Sequence, residues 1–225
     1  GDRFLFKTTG IPIPGSSDNN LVVRAINLLR KDHELKPVSI HLHKIIPPGS
    51  GLGGGSSDGA FAIKLLNDIF KLGLSKKKMM QYTSSLGSDC SFFIENQPVF
   101  AYGRGDKFIH VRLRLKGYKL ALVIPPVHVE TRLAYSHSKQ RNTSPLLINL
   151  IDLPVTQWKN NISNDFEEYA FKKYPVIRKI KEKLYSFGAI YTQMSGSGSA
   201  VYGIFEKENP PDIKFPGCAV YTFSL

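Results

Sequence analysis

Residues 47–58 read PPGSGLGGGSSD, and an apolar-periodic segment follows at once. Gly49, Gly51, Gly53, Gly54 and Gly55 free the backbone to turn its N–H groups inward around an anion. A helix starting behind such a loop adds unpaired N–H groups and the positive end of its dipole. The run has the chemistry of a phosphate cradle. A second Gly/Ser loop, MSGSGS at residues 194–199, precedes the strand-like residues 200–205. Two such loops in one chain point to a phosphorylated ligand gripped from two sides.

Hydrophobic spacing gives these loops their context. Residues 3–7 are strand-like, with no element before them to pair with. Asp18, Asn19 and Asn20 stand where they cap a helix with Leu21, Val22, Ala25, Ile26, Leu28 and Leu29 at helical period. Residues 38–43 alternate as a strand with one buried face, so a strand feeds the loop and the loop feeds a helix. That helix is expected over 58–70, capped by Ser56, Ser57 or Asp58, with Phe61, Leu65, Leu66, Ile69 and Phe70 buried.

Another helix is expected over 76–85, then a strand near 99–102 and a hairpin turn at Gly103-Arg104-Gly105-Asp106. Residues 120–124 form a strand ending at Pro125-Pro126, and a loop-rich stretch runs to about residue 163. Asn164 caps a helix to residue 174, Pro175 opens the next, and strands near 200–205 and 218–223 close the chain. A boundary near residues 116 and 117 gives two α+β halves, 1–116 and 117–225, with one Gly/Ser loop each.

The chain of 225 residues is long enough for one large or two small cores. It has no apolar run of membrane-spanning length and no recognisable signal peptide at its start. Cys90 and Cys218 form no CxxC pair, and a reduced, cytoplasmic protein is expected. The net charge of +12 would suit a polyanion, yet the basic residues are dispersed and no RNA-binding aromatic signature accompanies them. Neither nucleic acid nor a membrane is expected as a partner.

Gly49 to Gly54 literally matches GxGxxG, but no second strand ending in an acidic residue follows at dinucleotide-fold spacing. A Walker A loop would need GKS or GKT after the glycines, and none is present. The full string GSGLGGGSSD instead resembles the central motif of the GHMP kinases. Its form GLGGGSSD is similar to the branch whose acceptor is a cytidine diphosphate ester of methylerythritol. Further matches fall in order along the chain: Asn20-Leu21 with the following VVRA, Lys44 with Ile45-Ile46-Pro47, Asn164-Asp165-Phe166-Glu167, and MSGSGS.

The resemblance implies a two-lobed α+β fold, with an ATP-binding N-terminal lobe and a smaller ferredoxin-like C-terminal lobe. It also implies ATP and Mg²⁺ as cofactors, a small-molecule acceptor and a monomer or weak homodimer. Asn20, Leu21, Lys44 and residues 48–58 (Pro48, Gly49, Ser50, Gly51, Leu52, Gly53, Gly54, Gly55, Ser56, Ser57, Asp58) would then bind ATP. Asp89, in GSDCSFF, matches the family aspartate that accepts the substrate hydroxyl proton, although an Asp after Gly-Ser also reads as a helix cap.

Thr131 and Tyr135 match a substrate-binding segment in which Tyr135 would stack on cytosine, with a plain surface or core tyrosine as the alternative. Ser195, Gly196, Ser197 and Gly198 would join them at the substrate. Relatives acting on mevalonate, homoserine or a sugar share the nucleotide loop, so only the acceptor pocket separates them. No protein metal site is expected, since His41 and His43 share a strand face but lack a third ligand. Cys90 has no local basic partner to activate it.

The family's leading AKINL and DGYH motifs have no counterpart here. By that analogy an N-terminal segment is expected to be missing, leaving strand edges exposed and this polypeptide weak or inactive as a kinase.

Overall fold

The computed structural model describes residues 4–138, 144–206 and 213–225, so Arg3, at the start of the first expected strand, lies outside the described residues. The chain forms two compact units. One comprises Gly1–Pro48 and Gly53–His110, the other Gly49–Leu52 and Val111–Leu225.

The first unit holds, in order, β1 (Leu5–Gly10), α1 (Leu21–Leu29), β2 (Ser39–Lys44), α2 (Gly54–Phe70), α3 (Lys76–Leu86), α4 (Phe92–Glu95), β3 (Val99–Tyr102) and β4 (Lys107–His110). β1 finds its partner downstream, pairing in parallel with β2 from Leu5 opposite Ser39 to Gly10 opposite Lys44. Parallel neighbours need a crossover, and α1 supplies it. Asn20 caps α1 as expected, its side chain accepting from the Val22 N–H at 2.9 Å. β3 and β4 form the expected antiparallel hairpin.

α2 departs from expectation in its start and its face. It begins at Gly54 behind Gly53, whose φ of +66° is left-handed, so Ser56, Ser57 and Asp58 lie inside the helix and none of them caps it. Its buried residues are Gly59, Ala60, Ala62, Ile63 and Leu66. Phe61, Leu65 and Ile69 are 46%, 52% and 56% exposed, contrary to the expected stripe. Close approach decides the face: a Cβ on Gly59 would come within 2.9 Å of the Leu21 Cβ, so α1 packs onto the small residues of α2. Ile26 and Leu29 of α1 then meet Ile63 and Leu66 in a core completed by Tyr82, Leu86 and Cys90.

In the second unit β5 (Lys119–Ile124) is followed by α5 (Thr131–His137), α6 (Ser144–Leu150), α7 (Val155–Asn161), α8 (Glu167–Lys173) and α9 (Pro175–Ser186). Then come β6 (Tyr191–Met194), β7 (Val201–Phe205) and β8 (Ala219–Ser224). The stretch expected to be loop-rich thus carries α5, α6 and α7, each only seven residues long and too short for periodicity to register. β6 was also unexpected, because this four-residue strand buries the polar Thr192 and Gln193 and so shows no alternation.

The four strands pair antiparallel in the order β6-β7-β5-β8, the ferredoxin-like arrangement. Ile177, Ile180 and Leu184 of α9 share a core with Val123, Val201 and Phe205 of the sheet. A second cluster joins Val155 and Trp158 of α7 to Tyr191 and Ile204. Among the described residues no helix is long and apolar enough to cross a membrane.

Ile63→Ala and Leu184→Ala are each expected to lower the unfolding free energy by about 2–5 kcal/mol. Leu65→Ala should cost less than about 1 kcal/mol. Chemical denaturation of the three variants tests the assigned face of α2 directly.

Candidate active site

In the first unit the loop leaves β2 through a buried cation. Lys44 is 4% exposed, and its Nζ donates to Asp58 Oδ2 in α2 at 2.5 Å. A Cβ on Gly54 would lie 3.2 Å from that Nζ and 2.8 Å from Ile46 Cγ2, so the start of α2 rests on Lys44 and Ile46. A cation under a helix N-terminus is unfavourable, and Asp58 compensates it. Lys44 and Asp58, both expected at the nucleotide, are therefore each other's counter-ions here.

Gly53 provides no side-chain cap, and the first N–H bonded back within α2 is that of Ser57, to the Gly53 carbonyl at 2.8 Å. The earlier N–H groups of Gly54, Gly55 and Ser56 have no helical carbonyl one turn behind them and no side-chain cap. Gly55 is exposed, with nothing within 4 Å of where its Cβ would stand. In the same unit Asn20 borders a cavity of about 210 Å³ together with Phe6, Thr8, Ile13, Pro14 and Asn19. Leu21 turns towards Gly59 of α2.

Asp89 sits exposed on a 3-10 turn, Ser88–Ser91, between α3 and α4. That turn is tied down from beneath. Ser91 Oγ bonds to Thr83 Oγ1 at 3.1 Å and donates to the Met80 carbonyl at 3.2 Å, while Cys90 is fully buried. Burial pushes the Cys90 thiol up, outweighing a hydrogen bond to Ser56 that lowers it, so Cys90 is a core thiol joined to the first turn of α2. His41 and His43 both bond to Thr9 Oγ1, at 2.7 and 2.9 Å, on an exposed strand face. Among the described residues no three His, Cys, Asp or Glu side chains converge on a metal position.

In the second unit residues 49–52 pack by main chain against the β6–β7 loop. Ala200 N–H donates to the Ser50 carbonyl and Ser195 Oγ to the Gly51 carbonyl, both at 2.9 Å. Gly51 has φ of +75°, and a Cβ there would lie 2.0 Å from the Ser195 carbonyl oxygen. A Cβ on Gly49 would meet the His128 ring at the same 2.0 Å.

The β6–β7 loop is closed by Ser195 N–H to the Ala200 carbonyl and by Gly198 N–H to the Ser195 carbonyl, at 2.8 and 2.9 Å. Ser199 Oγ donates to the Val127 carbonyl at 2.5 Å, and Thr131 Oγ1 bonds to Ser197 Oγ at 3.2 Å. Thr131 thus meets the loop as a neighbour.

Tyr135 is 65% exposed, with its ring edge-on to Phe166 at 4.8 Å. Both border a cavity of about 730 Å³ shared with Asn164, Gln193, Ser195 and Gly196. Tyr202 also reaches it, its hydroxyl pushed up to about 12 chiefly by burial, so it stays a neutral donor at physiological pH.

The sequence reading missed His128 and Val127, which receive residues of the two glycine loops, and read Asn164 only as a cap. Asn164 accepts from the Phe166 N–H, but α8 starts only at Glu167 behind Phe166 with no side-chain cap, so Asn164 shapes the turn before the helix, and its Nδ2 donates to the Met194 and Gly196 carbonyls at 2.9 and 2.7 Å. No local signal could have revealed contacts that far along the chain.

Residues 20–104 match the GHMP kinases N terminal domain and residues 155–219 the GHMP kinases C terminal domain. The chain belongs to the GHMP kinase family. It is 50% identical over 206 residues to a Bacteroides fragilis protein named 4-diphosphocytidyl-2-C-methyl-D-erythritol kinase, covering 92% of this chain and 75% of that one. A Parabacteroides distasonis protein of the same name is 48% identical, with 92% and 76% covered. Among solved structures, a 4-(cytidine 5'-diphospho)-2C-methyl-D-erythritol kinase superposes with a TM-score of 0.70 at 25% identity, covering 89% of this chain and 73% of that one. Homoserine kinase from Cytophaga hutchinsonii reaches 0.71 at 14% identity, with 99% and 82% covered, a likeness of fold alone.

Asp58→Ala should lower stability by about 3 kcal/mol by stranding the Lys44 ammonium, and adding Lys44→Met should restore most of it in a thermal melt. Gly51→Ala forces an L-residue into left-handed backbone against a carbonyl. Nucleotide affinity measured by calorimetry should fall by about tenfold or more.

Proposed function

We propose that this chain transfers the γ-phosphate of ATP to the 2-hydroxyl of 4-diphosphocytidyl-2-C-methyl-D-erythritol, a step of the non-mevalonate route to isoprenoid precursors. The observation that carries this reading is the 50% identity, along 92% of the chain, to a protein bearing that enzyme's name. Site chemistry agrees with it.

In this mechanism the N–H groups of residues 49–57 hold the nucleotide phosphates, with Asn20 and Leu21 at the adenine. Mg²⁺ bound with the nucleotide would supply charge neutralisation at the phosphates. The Asp89 carboxylate orients the acceptor hydroxyl and takes its proton as the hydroxyl oxygen bonds to the γ-phosphorus. The bond from that phosphorus to the β–γ bridging oxygen breaks, and ADP leaves. Gly196 and Ser197 N–H groups and the Ser197 and Thr131 hydroxyls supply donors where charge develops. Tyr135 presents its exposed ring to the cytosine. A soluble enzyme of the cytoplasm, active as a monomer or weak homodimer, fits the reading.

Mass spectrometry after incubation with Mg-ATP and 4-diphosphocytidyl-2-C-methyl-D-erythritol should detect the phosphorylated cytidine ester. Asp89→Ala should reduce turnover by about 10²–10⁴-fold. Product from mevalonate or homoserine in place of the cytidine ester would move the chain elsewhere in the family, and no product from any of them with a protein that also carries its relatives' leading segment would overturn the kinase reading.

A further inference from the structure

The β6–β7 loop is held from behind by three side chains that no step above uses. Glu167, at the start of α8, is 9% exposed, and its Oε1 accepts the Met194 N–H at 3.0 Å. Lys181 of α9 donates to both oxygens of the same carboxylate, at 2.9 and 2.7 Å, with side-chain exposures of 20% for Lys181 and 12% for Glu167. Asn164 holds the neighbouring carbonyls of Met194 and Gly196 with one Nδ2. Both faces of the Met194 peptide region are therefore pinned, the N–H by an anion and the carbonyl by an amide.

The pinning extends outward. Ser195, next in the chain, donates its hydroxyl to the Gly51 carbonyl, and Ala200 N–H donates to that of Ser50, so whatever fixes residues 194–196 also fixes residues 49–52. We infer that Asn164, Glu167 and Lys181 are positioning residues for phosphoryl transfer, holding the MSGSGS loop and the tip of the first glycine loop in their working geometry before the ligand arrives.

The chemistry favours this role over a purely structural one. A buried ion pair adds little net stability over an apolar pair of the same volume. A carboxylate fixed by a cation and aimed at a main-chain N–H instead removes freedom from a glycine-rich loop that would otherwise be slack. Preorganised donors act on the bound phosphates and on the charge that develops in the transition state, so slackening them should weaken ATP binding and lower kcat together.

The role rests on the proposed kinase activity, and the test separates the two. Asn164→Asp keeps the oxygen that accepts the Phe166 N–H but turns a second anionic oxygen on two carbonyls, whereas Lys181→Met frees the Glu167 carboxylate. A further pair, Glu167→Gln alone and with Lys181→Met, guards against misfolding, because the glutamine oxygen still accepts the Met194 N–H. Amide hydrogen exchange needs no activity: in Asn164→Asp and Lys181→Met the amides of Ser195, Gly198 and Ala200 should exchange at least about tenfold faster, while the β5–β7 ladder is unchanged. In kinetics kcat should fall at least about tenfold and KM for ATP should rise with it, and the Glu167→Gln, Lys181→Met pair should recover much of both.

Unchanged loop exchange, or faster exchange with wild-type kcat, overturns the positioning role alone. Equal losses spread over the whole sheet make the three residues ordinary supports and overturn it too. A wild-type protein that carries its relatives' leading segment and still shows no turnover takes down the kinase reading and this role together.

Discussion

One approach of main chain to main chain governs the second unit: the Gly51 backbone lies against the Ser195 carbonyl with no space for a side chain between them. Hydrogen bonds from Ser195 Oγ and Ala200 N–H make that approach specific, since each donor meets a carbonyl of residues 50 and 51. The left-handed φ of Gly51 and the packing of Gly49 on His128 follow from it, because only glycine satisfies both the angle and the gap. Glu167 and Asn164 matter for the same reason, being what keeps the other side of that approach in place.

The first unit solves a different problem, how to begin a long helix with exposed N–H groups and no cap. Lys44 lies beneath the helix start, where its charge alone would oppose the dipole, and Asp58 neutralises it from within the helix. The arrangement leaves the N–H groups of residues 54–56 unspent on capping side chains. Asp89 is held on its 3-10 turn by an equally local device, a hydroxyl pair between Thr83 and Ser91 over a buried thiol.

Legibility in the sequence followed the range of the interaction. Asn20 was readable as a cap because its bond spans two residues, and α9 because Pro175 and three well-spaced apolar residues announce it. The start and face of α2 were not, since they depend on how closely α1 approaches Gly59, which no count of large apolar residues reports. Short helices α5 to α7 carry too few turns to show a period. The motifs singled out the glycine loops, Asp89 and Tyr135, but the Lys44–Asp58 pair and the double grip of Asn164 arise only when distant segments meet.

The bond from Ser195 to Gly51 spans 144 positions of chain, and this sets the order in which the molecule is made. Residues 49–52 leave the ribosome early, yet their partners arrive only near the end of synthesis, after every helix of the second unit has emerged. Closing so long a loop is entropically slow, and glycines add to the disorder that must be lost. The segment 49–52 is therefore among the last parts of the chain to take its final shape, and a polypeptide halted before residue 195 would carry the loop without the partners that shape it.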